Sequence, residues 1–225
     1  MQAVLLDFNG TLFNDTRFHV EAWHNFLLHQ FGITLTREEV LRRCIGPANA
    51  DIFKDFFGGS LSPEEVKRLS ELKETEYRAA VRSRPENMLL KKGVPEFLDA
   101  LKTRNIPFAL ATASSLSNVD FYLNDLGLKR WFTPDTIVYD NGQYLPKPDP
   151  AYYNEAARRL NTTPDQCLIA EDSLTGIQAA IRAHAGRLVA LTGTADKNTL
   201  KSIPEVYAVC DDFTDFTQYL PEFFR

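Results

Sequence analysis

The sequence predicts an α/β protein, a doubly wound and mostly parallel sheet interrupted by an all-helical insertion. Three observations predict it. The stretch Ala3–Thr11, AVLLDFNGT, opens on an apolar run bounded by Gly10, which reads as a strand buried on both faces. From Leu89 onward, short apolar runs alternate with helix-periodic segments, the pattern of parallel strands joined by crossover helices. Between about Asn14 and Pro85 the periodicity is helical only. The expected organisation is an α/β core of residues 1–13 and 86–225 with a helical cap over 14–85. Two crossings, near Leu12–Thr16 and Arg84–Met88, suit a lid that opens and shuts over the strand ends.

Composition agrees. The chain has 225 residues, 44% hydrophobic and 24% charged, enough for one substantial core plus a smaller unit. A net charge of −5 without a basic tract argues against nucleic acid as the main partner. No run approaches the ~18–20 apolar residues that a membrane span needs. The N-terminus enters a strand at once, so no signal peptide is expected. Cys44, Cys167 and Cys210 are far apart, and two lie in apolar runs. They read as small core residues of a reducing compartment, the cytoplasm, rather than as disulfides or a metal cluster.

In chain order, Trp23, Phe26, Leu27 and Phe31 recur at helical spacing, with Gly32 as the stop. Thr36-Arg37-Glu38-Glu39 has the form of a capping box. A third helix covers about Asp51–Phe57, and Ser62-Pro63-Glu64-Glu65 caps a long one through Leu69 and Val81 to Arg84-Pro85. Beyond Leu89, helices are expected at Val94–Leu101, Ser117–Leu126, Ala151–Leu160 and Leu174–His184. Strands are expected at Pro107–Ala111, Thr136–Tyr139, Cys167–Ala170, Leu188–Leu191 and Tyr207–Cys210.

The polar residues that follow these strands carry the chemistry. Asp7 stands at the carboxyl end of a central strand, where open α/β sheets bind ligands, and a buried carboxylate there needs a cation, hydrogen bonds or a task. Capping of the next turn by Asp7 or Asn9 is the plainer alternative. Thr112-Ala113-Ser114-Ser115 offers a hydroxyl and successive N–H groups that can hold phosphate oxygens, or simply caps a helix. In Pro146-Lys147-Pro148-Asp149-Pro150 the flanking prolines hold Lys147 extended as an aimed charge, or form a rigid linker, while Asp149 caps the following helix with Pro150 at its first position. Glu171-Asp172-Ser173 places two adjacent acids after an apolar strand, an oxygen-rich set suited to Mg²⁺.

With Asp7-Phe8-Asn9-Gly10-Thr11, Thr112-Ala113-Ser114, Lys147-Pro148 and Glu171-Asp172-Ser173 followed by Gly176, the chain resembles the haloacid dehalogenase (HAD) superfamily. The resemblance covers essentially the whole chain and is nearest the β-phosphoglucomutase-like branch, whose helical cap follows the first motif. It implies a Rossmann-like core, Asp7 as a nucleophile forming an aspartyl-phosphate, and Thr112 and Lys147 holding the transferring phosphoryl group together with Ala113 and Ser114. It implies that Asp172 ligates Mg²⁺ with Asp7 and the backbone carbonyl of Asn9, with Glu171 in or beside the metal shell. Such a site supplies the cations needed when a carboxylate attacks a phosphate monoester.

One departure stands out. The family's phosphatases and mutases carry Asp two residues after the nucleophile as general acid and base, and here the residue is Asn9. An amide donates hydrogen bonds but exchanges no useful proton near neutral pH. Three explanations stand open: a natural branch with weak or unusual activity, a replacement made to trap a complex, or a reaction that needs no acid there, as in the family's dehalogenases and phosphonatases. Glu171-Asp172 argues against the metal-free dehalogenase reading. Lys73 on the long cap helix is the candidate for the imine-forming lysine of phosphonatases, although a lone helical lysine is ordinarily solvated. His19 falls where related mutases and phosphatases often carry a histidine, the alternative being an exposed helix residue; both His19 and Lys73 are candidates for substrate contact. Asn49, in the loop where mutases carry an arginine, lacks the charge for a second phosphate. The expected function is Mg²⁺-dependent hydrolysis of a small phosphorylated metabolite by a cytoplasmic monomer, with no nucleic-acid or membrane partner. A phosphosugar mutase and a catalytically weakened phosphate-binding protein are the alternatives.

Overall fold

The computed structural model describes residues 1–84, 86, 88–214 and 216. The boundary expected at Pro85, Asn87 in the second crossing, and residues 215 and 217–225 of the expected core lie outside the described residues. Six strands, β1 (Ala3–Leu6), β2 (Phe108–Ser115), β3 (Ile137–Asp140), β4 (Cys167–Glu171), β5 (Arg187–Leu191) and β6 (Ala208–Cys210), form one parallel sheet. Their order is β3-β2-β1-β4-β5-β6, so the direction of winding reverses between β1 and β4. In such a sheet the crevice at the carboxyl ends of the two strands flanking that reversal is the natural ligand site. The predicted doubly wound α/β class is what the structure has.

β1 and β4 are fully buried, as their apolar runs require of central parallel strands. One face of the sheet packs Ala3, Leu5, Cys167 and Ile169 against Tyr152 and Tyr153 of α7 (Ala151–Arg159) and Ile177 and Ala180 of α8 (Leu174–Arg182). Register does the rest. Leu6 pairs with Leu110 on β2 and with Ala170 on β4, so the residues one or two steps beyond, Asp7, Thr112 and Glu171, emerge at one edge.

The chain divides into two compact units, residues 1–14 with the segment from Leu89 onward, and Asp15–Met88. The second contains α1 (Thr16–Phe31), α2 (Arg37–Cys44), α3 (Asn49–Phe57) and α4 (Pro63–Arg82). α1 stops at Gly32 (φ 66°), where the Ile33 N–H reaches back to Leu27 O, a C-terminal geometry in which glycine carries no Cβ penalty. Thr36 and Ser62 each form the complete capping box, and Pro63 opens α4. Trp23 lies edge-on to Phe26 and Phe53 (ring centroids 5.8 and 5.6 Å apart), giving the unit an apolar centre of its own.

Two local expectations are corrected and two features are added. β2 continues through Ser115 with a register shift against β3 between Ala111 and Ser115, so Thr112–Ser114 belong to an irregular strand end rather than to the segment after a strand ending at Ala111. Around Lys147 the Asp149 N–H bonds Pro146 O at 3.0 Å across a cis Lys147–Pro148 peptide, so the lysine is carried on a turn with proline at its third position. Pro150, not Asp149, is the N-cap of α7, although Asp149 Oδ1 still accepts the Ala151 N–H. A short α9 (Lys197–Lys201), capped by Asp196, was not anticipated. All three cysteines are free; burial pushes the Cys44 and Cys167 thiols up to about 11, and Cys210 is only half-buried.

β1 is the sheet's central support, which makes it the sharpest probe of the fold. Leu5→Ala removes a wholly buried side chain packed on the α7–α8 face and is expected to cost about 2–5 kcal/mol in chemical unfolding. A loss below about 1 kcal/mol, typical of surface changes, would contradict this packing.

Candidate active site

Asp7 leaves β1 with its N–H on Ala170 O, so it stands beside Glu171 at the end of β4. Like charges in register would repel in this buried place. The turn carrying Lys147 supplies the answer: its Nζ lies 2.6 Å from Asp7 Oδ1 and 2.7 Å from Glu171 Oε2. Asp7, Glu171 and Asp172 are all buried and present carboxylate oxygens within 4.8 Å of one another.

The three acids are held very differently. Glu171 Oε2 also accepts the Tyr153 hydroxyl at 2.6 Å, while Oε1 accepts the N–H groups of Asp172 and Ser173 and the Ser173 hydroxyl, each at 3.0 Å. Burial opposes its ionisation, but Lys147 and these donors outweigh it and hold its carboxyl below the usual range. Among the described residues the Asp7 carboxylate accepts a hydrogen bond from Lys147 alone. Burial, then the Glu171 charge, pushes its carboxyl well above the ordinary value despite Lys147. Asp172 is raised to about 6 by burial and Glu171, against hydrogen bonds from Thr194. Burial works against the Lys147 charge, yet Asp7 and Glu171 keep the ammonium protonated well above its normal range. Glu171 is thus the structural anion, and Asp7 is the carboxylate with spare capacity.

Glycines make room for this crowding. A Cβ on Gly10 (φ 79°) would fall 2.2 Å from Asp172 Oδ2, and one on Gly176 would fall 1.9 Å from Glu171 Oε2. Of the three carboxylates Asp7 and Glu171 bond the Lys147 ammonium, and Lys91 adds only a weaker pull on Asp172, so the set keeps a residual negative charge. An all-oxygen donor set with that residual charge fits a hard divalent cation.

Asn9 belongs to a second cluster. Its Oδ1 accepts the Ser114 hydroxyl at 2.8 Å and its Nδ2 donates to Tyr122 Oη at 3.1 Å, while Ser114 and Tyr122 lie 2.9 Å apart. Tyr122, in α6 (Leu116–Asn124), stacks on Phe8 with ring centroids 3.9 Å apart. Thr112 is fully buried, its Oγ1 accepting the Ser114 N–H at 3.2 Å and lying 3.5 Å from Asn9 Oδ1. Thr112 is therefore no helix cap; Ser115 holds that position on α6, without a side-chain cap bond. Ala113 is exposed at the strand end.

Structure thus groups Asp7, Lys147, Glu171 and Asp172, and separately Asn9, Thr112 and Ser114. His19 and Lys73 lie in the helical unit. Lys73 is 2% exposed, so the solvated helical lysine expected from sequence is corrected. Its Nζ contacts His19 Nδ1 (2.8 Å) and Glu74 Oε1 (2.9 Å), and Glu74 also accepts from Asn49 Nδ2 at 3.0 Å. His19 stacks face to face on Tyr77 at 4.1 Å, and the Tyr77 hydroxyl donates to Asp15 at 2.8 Å. Sequence reasoning missed Tyr153, Thr194 and Tyr122. Thr194 was findable, since Thr192-Gly193-Thr194 follows the apolar β5 just as Thr112 follows an apolar run. Tyr153 and Tyr122 sit on apolar helix faces, where only their need for a buried hydroxyl partner gives a hint.

Residues 1–184 match the model of haloacid dehalogenase-like hydrolases. The chloroplastic 5-amino-6-(5-phospho-D-ribitylamino)uracil phosphatase of Arabidopsis thaliana is 28% identical over 168 residues, 71% of this chain and 43% of that protein, so this chain spans under half of its length. A phosphorylated carbohydrates phosphatase of Thermotoga maritima is 29% identical over 192 residues, 84% of each protein. A HAD hydrolase of family IA, variant 3, from Entamoeba histolytica superposes with a TM-score of 0.88 at 30% identity, covering 96% of this chain and 95% of that one.

Removing the ammonium tests the electrostatics of the cluster. Lys147→Met leaves Asp7 and Glu171 buried without a counter-ion and is expected to destabilise the metal-free protein by about 3–5 kcal/mol near neutral pH. Both carboxyls then titrate above their unfolded values. Groups raised by folding support the native state at low pH and lose that support as pH rises, so the deficit shrinks towards about pH 5. An equal deficit at both pH values in chelator-treated protein would contradict the assignment.

Proposed function

The chain belongs to the haloacid dehalogenase-like hydrolase family, and on that premise we propose that it is a Mg²⁺-dependent phosphate monoester hydrolase acting on a small phosphorylated metabolite. The observation that carries the reading is the buried set of Asp7, Glu171 and Asp172 gathered around Lys147 at the sheet's reversal point. The named phosphatase relatives support the same class of reaction.

Asp7 is the nucleophile in this reading. One carboxylate oxygen attacks phosphorus, the Asp7 O–P bond forms, and the ester P–O bond breaks with its electrons leaving on the substrate alcohol oxygen. Lys147 holds a phosphoryl oxygen and offsets the charge that gathers there; Thr112 and the backbone at Ala113 and Ser114 hold the others, the Ser114 N–H exchanging Thr112 Oγ1 for the phosphoryl oxygen. Asp7, Asp172 and the Asn9 carbonyl would hold Mg²⁺, with Glu171 orienting Lys147 from beside them. When bound, the ion neutralises phosphate oxygens and lets two anions meet. Water then cleaves the acyl phosphate, returning the Asp7 carboxylate and releasing inorganic phosphate. Asn9 cannot protonate the departing oxygen or take a proton from that water, so both proton transfers fall to solvent. Asn9 favours a second reading, a phosphate-ligand-binding protein with weak turnover, in which ligand and Mg²⁺ raise thermal stability without phosphate release.

A panel of phosphate esters separates the two. Asp7→Asn and Asp172→Asn are expected to abolish phosphate release while leaving the fold intact, and normal release from the Asp7 variant would overturn the mechanism. Asn9→Asp is expected to raise turnover of esters with poor leaving groups by about 10²–10⁴-fold, the usual worth of acid–base help, with a smaller gain for good leaving groups. Unchanged rates across the panel would show that position 9 is not the acid–base position and point to a different reaction.

A further inference from the structure

Within the helical unit lies a cavity of about 450 Å³, inside the size range of small-molecule sites. Its polar lining comes from α1 (Arg17, Glu21, His24), the first residue of α2 (Arg37) and the residue two beyond α4 (Arg84), over an apolar floor that includes Val20 and Leu35. None of these residues belongs to the carboxylate cluster at the strand ends.

The charges do not cancel. Glu21 is occupied, with both oxygens on the Arg84 guanidinium at 2.7 and 3.3 Å. Glu39, two residues from Arg37, is taken up by the Thr36 cap. Arg17 and Arg37 meet no carboxylate among the described residues; the Arg17 guanidinium lies 4.6 Å from the Phe18 ring centroid, a contact that leaves its edge donors available. The His24 ring is fixed by Nδ1 on Leu35 O at 3.1 Å, which makes Nδ1 the donor and leaves Nε2 as the ring nitrogen for a ligand. In a chain with 30 acidic against 25 basic residues, a cavity lined by three arginines and one glutamate, itself taken up by Arg84, is a local reversal of the general balance.

We propose that this cavity is a second binding site, for a small dianion with a phosphate-type headgroup and a short apolar body. Two unpaired guanidinium forks suit a tetrahedral dianion, since each can donate two parallel hydrogen bonds. The floor accepts the body. A ligand spanning Arg17, Arg37 and Arg84 ties the start of α1, the start of α2 and the end of α4, and so stabilises the helical unit whenever it is bound.

The test uses phenylphosphonate, whose C–P bond is no ester for the proposed hydrolase to cut, titrated into the full chain with amide-resolved NMR. Saturable shifts are expected at residues 17–24 and 35–40, and they should persist in Asp7→Asn. The double variant Arg17→Ala, Arg37→Ala should weaken binding about tenfold or more for each arginine lost, from the worth of charge-assisted hydrogen bonds. Arg37→Lys should keep part of it, with an unchanged amide spectrum elsewhere as the check on folding. Inorganic phosphate should bind more weakly for want of the apolar body. Shifts confined to the strand ends, undiminished affinity in the double variant, or inorganic phosphate binding as tightly as phenylphosphonate would each overturn the proposal.

Discussion

The Lys147 ammonium touches two carboxylates that a parallel sheet forces together, and the rest of the site follows from that constraint. β1 and β4 pair in register, so Asp7 and Glu171 must share one low-dielectric place. Lys147 stabilises the pair, while Asp172 stays raised by burial and the Glu171 charge against a weaker pull from Lys91. The protein spends most of its hydrogen bonds on Glu171, which leaves Asp7 underprovided and its ionised form costly. A carboxylate so placed gains from a cation or an electrophile, and this is what a nucleophile requires.

The same constraint explains the surrounding small residues and hydroxyls. Gly10, Gly176 and Gly193 stand where any side chain would overlap the acids, so the polypeptide can fold closely over them. Thr11 and Thr194 donate to Asp172, and Tyr153 to Glu171, each a neutral donor that steadies negative charge without cancelling it. Asn9 lies outside that economy. Its amide is fixed between Ser114 and Tyr122, which orients it firmly but gives it no proton to trade.

How much was legible in the sequence depended on whether the signal was local. Asp7 and Glu171-Asp172 could be read because charge directly after an apolar strand is conspicuous, and the caps at Thr36 and Ser62 because they are short-range hydrogen-bond patterns. The extension of β2 was missed because Thr and Ser are tolerated in strands as well as turns, and tertiary pairing with β3 decided between them. Lys73 was misread for a similar reason: nothing in the α4 pattern announces that Glu74, His19 and an aromatic floor will meet it. Tyr153 and Tyr122 look like ordinary core residues until their hydroxyls are followed to Glu171 and Asn9.

The central claim is that Asp7 becomes covalently phosphorylated, and acid-quench mass spectrometry tests it directly. Incubated with Mg²⁺ and a phosphate ester that it hydrolyses, then quenched in acid, the protein should yield a phosphorylated peptide containing Asp7. The adduct should accumulate, because the water that resolves it meets an amide rather than a base at position 9. Turnover with no covalent phosphate on Asp7, or with phosphate on another residue, would contradict the account.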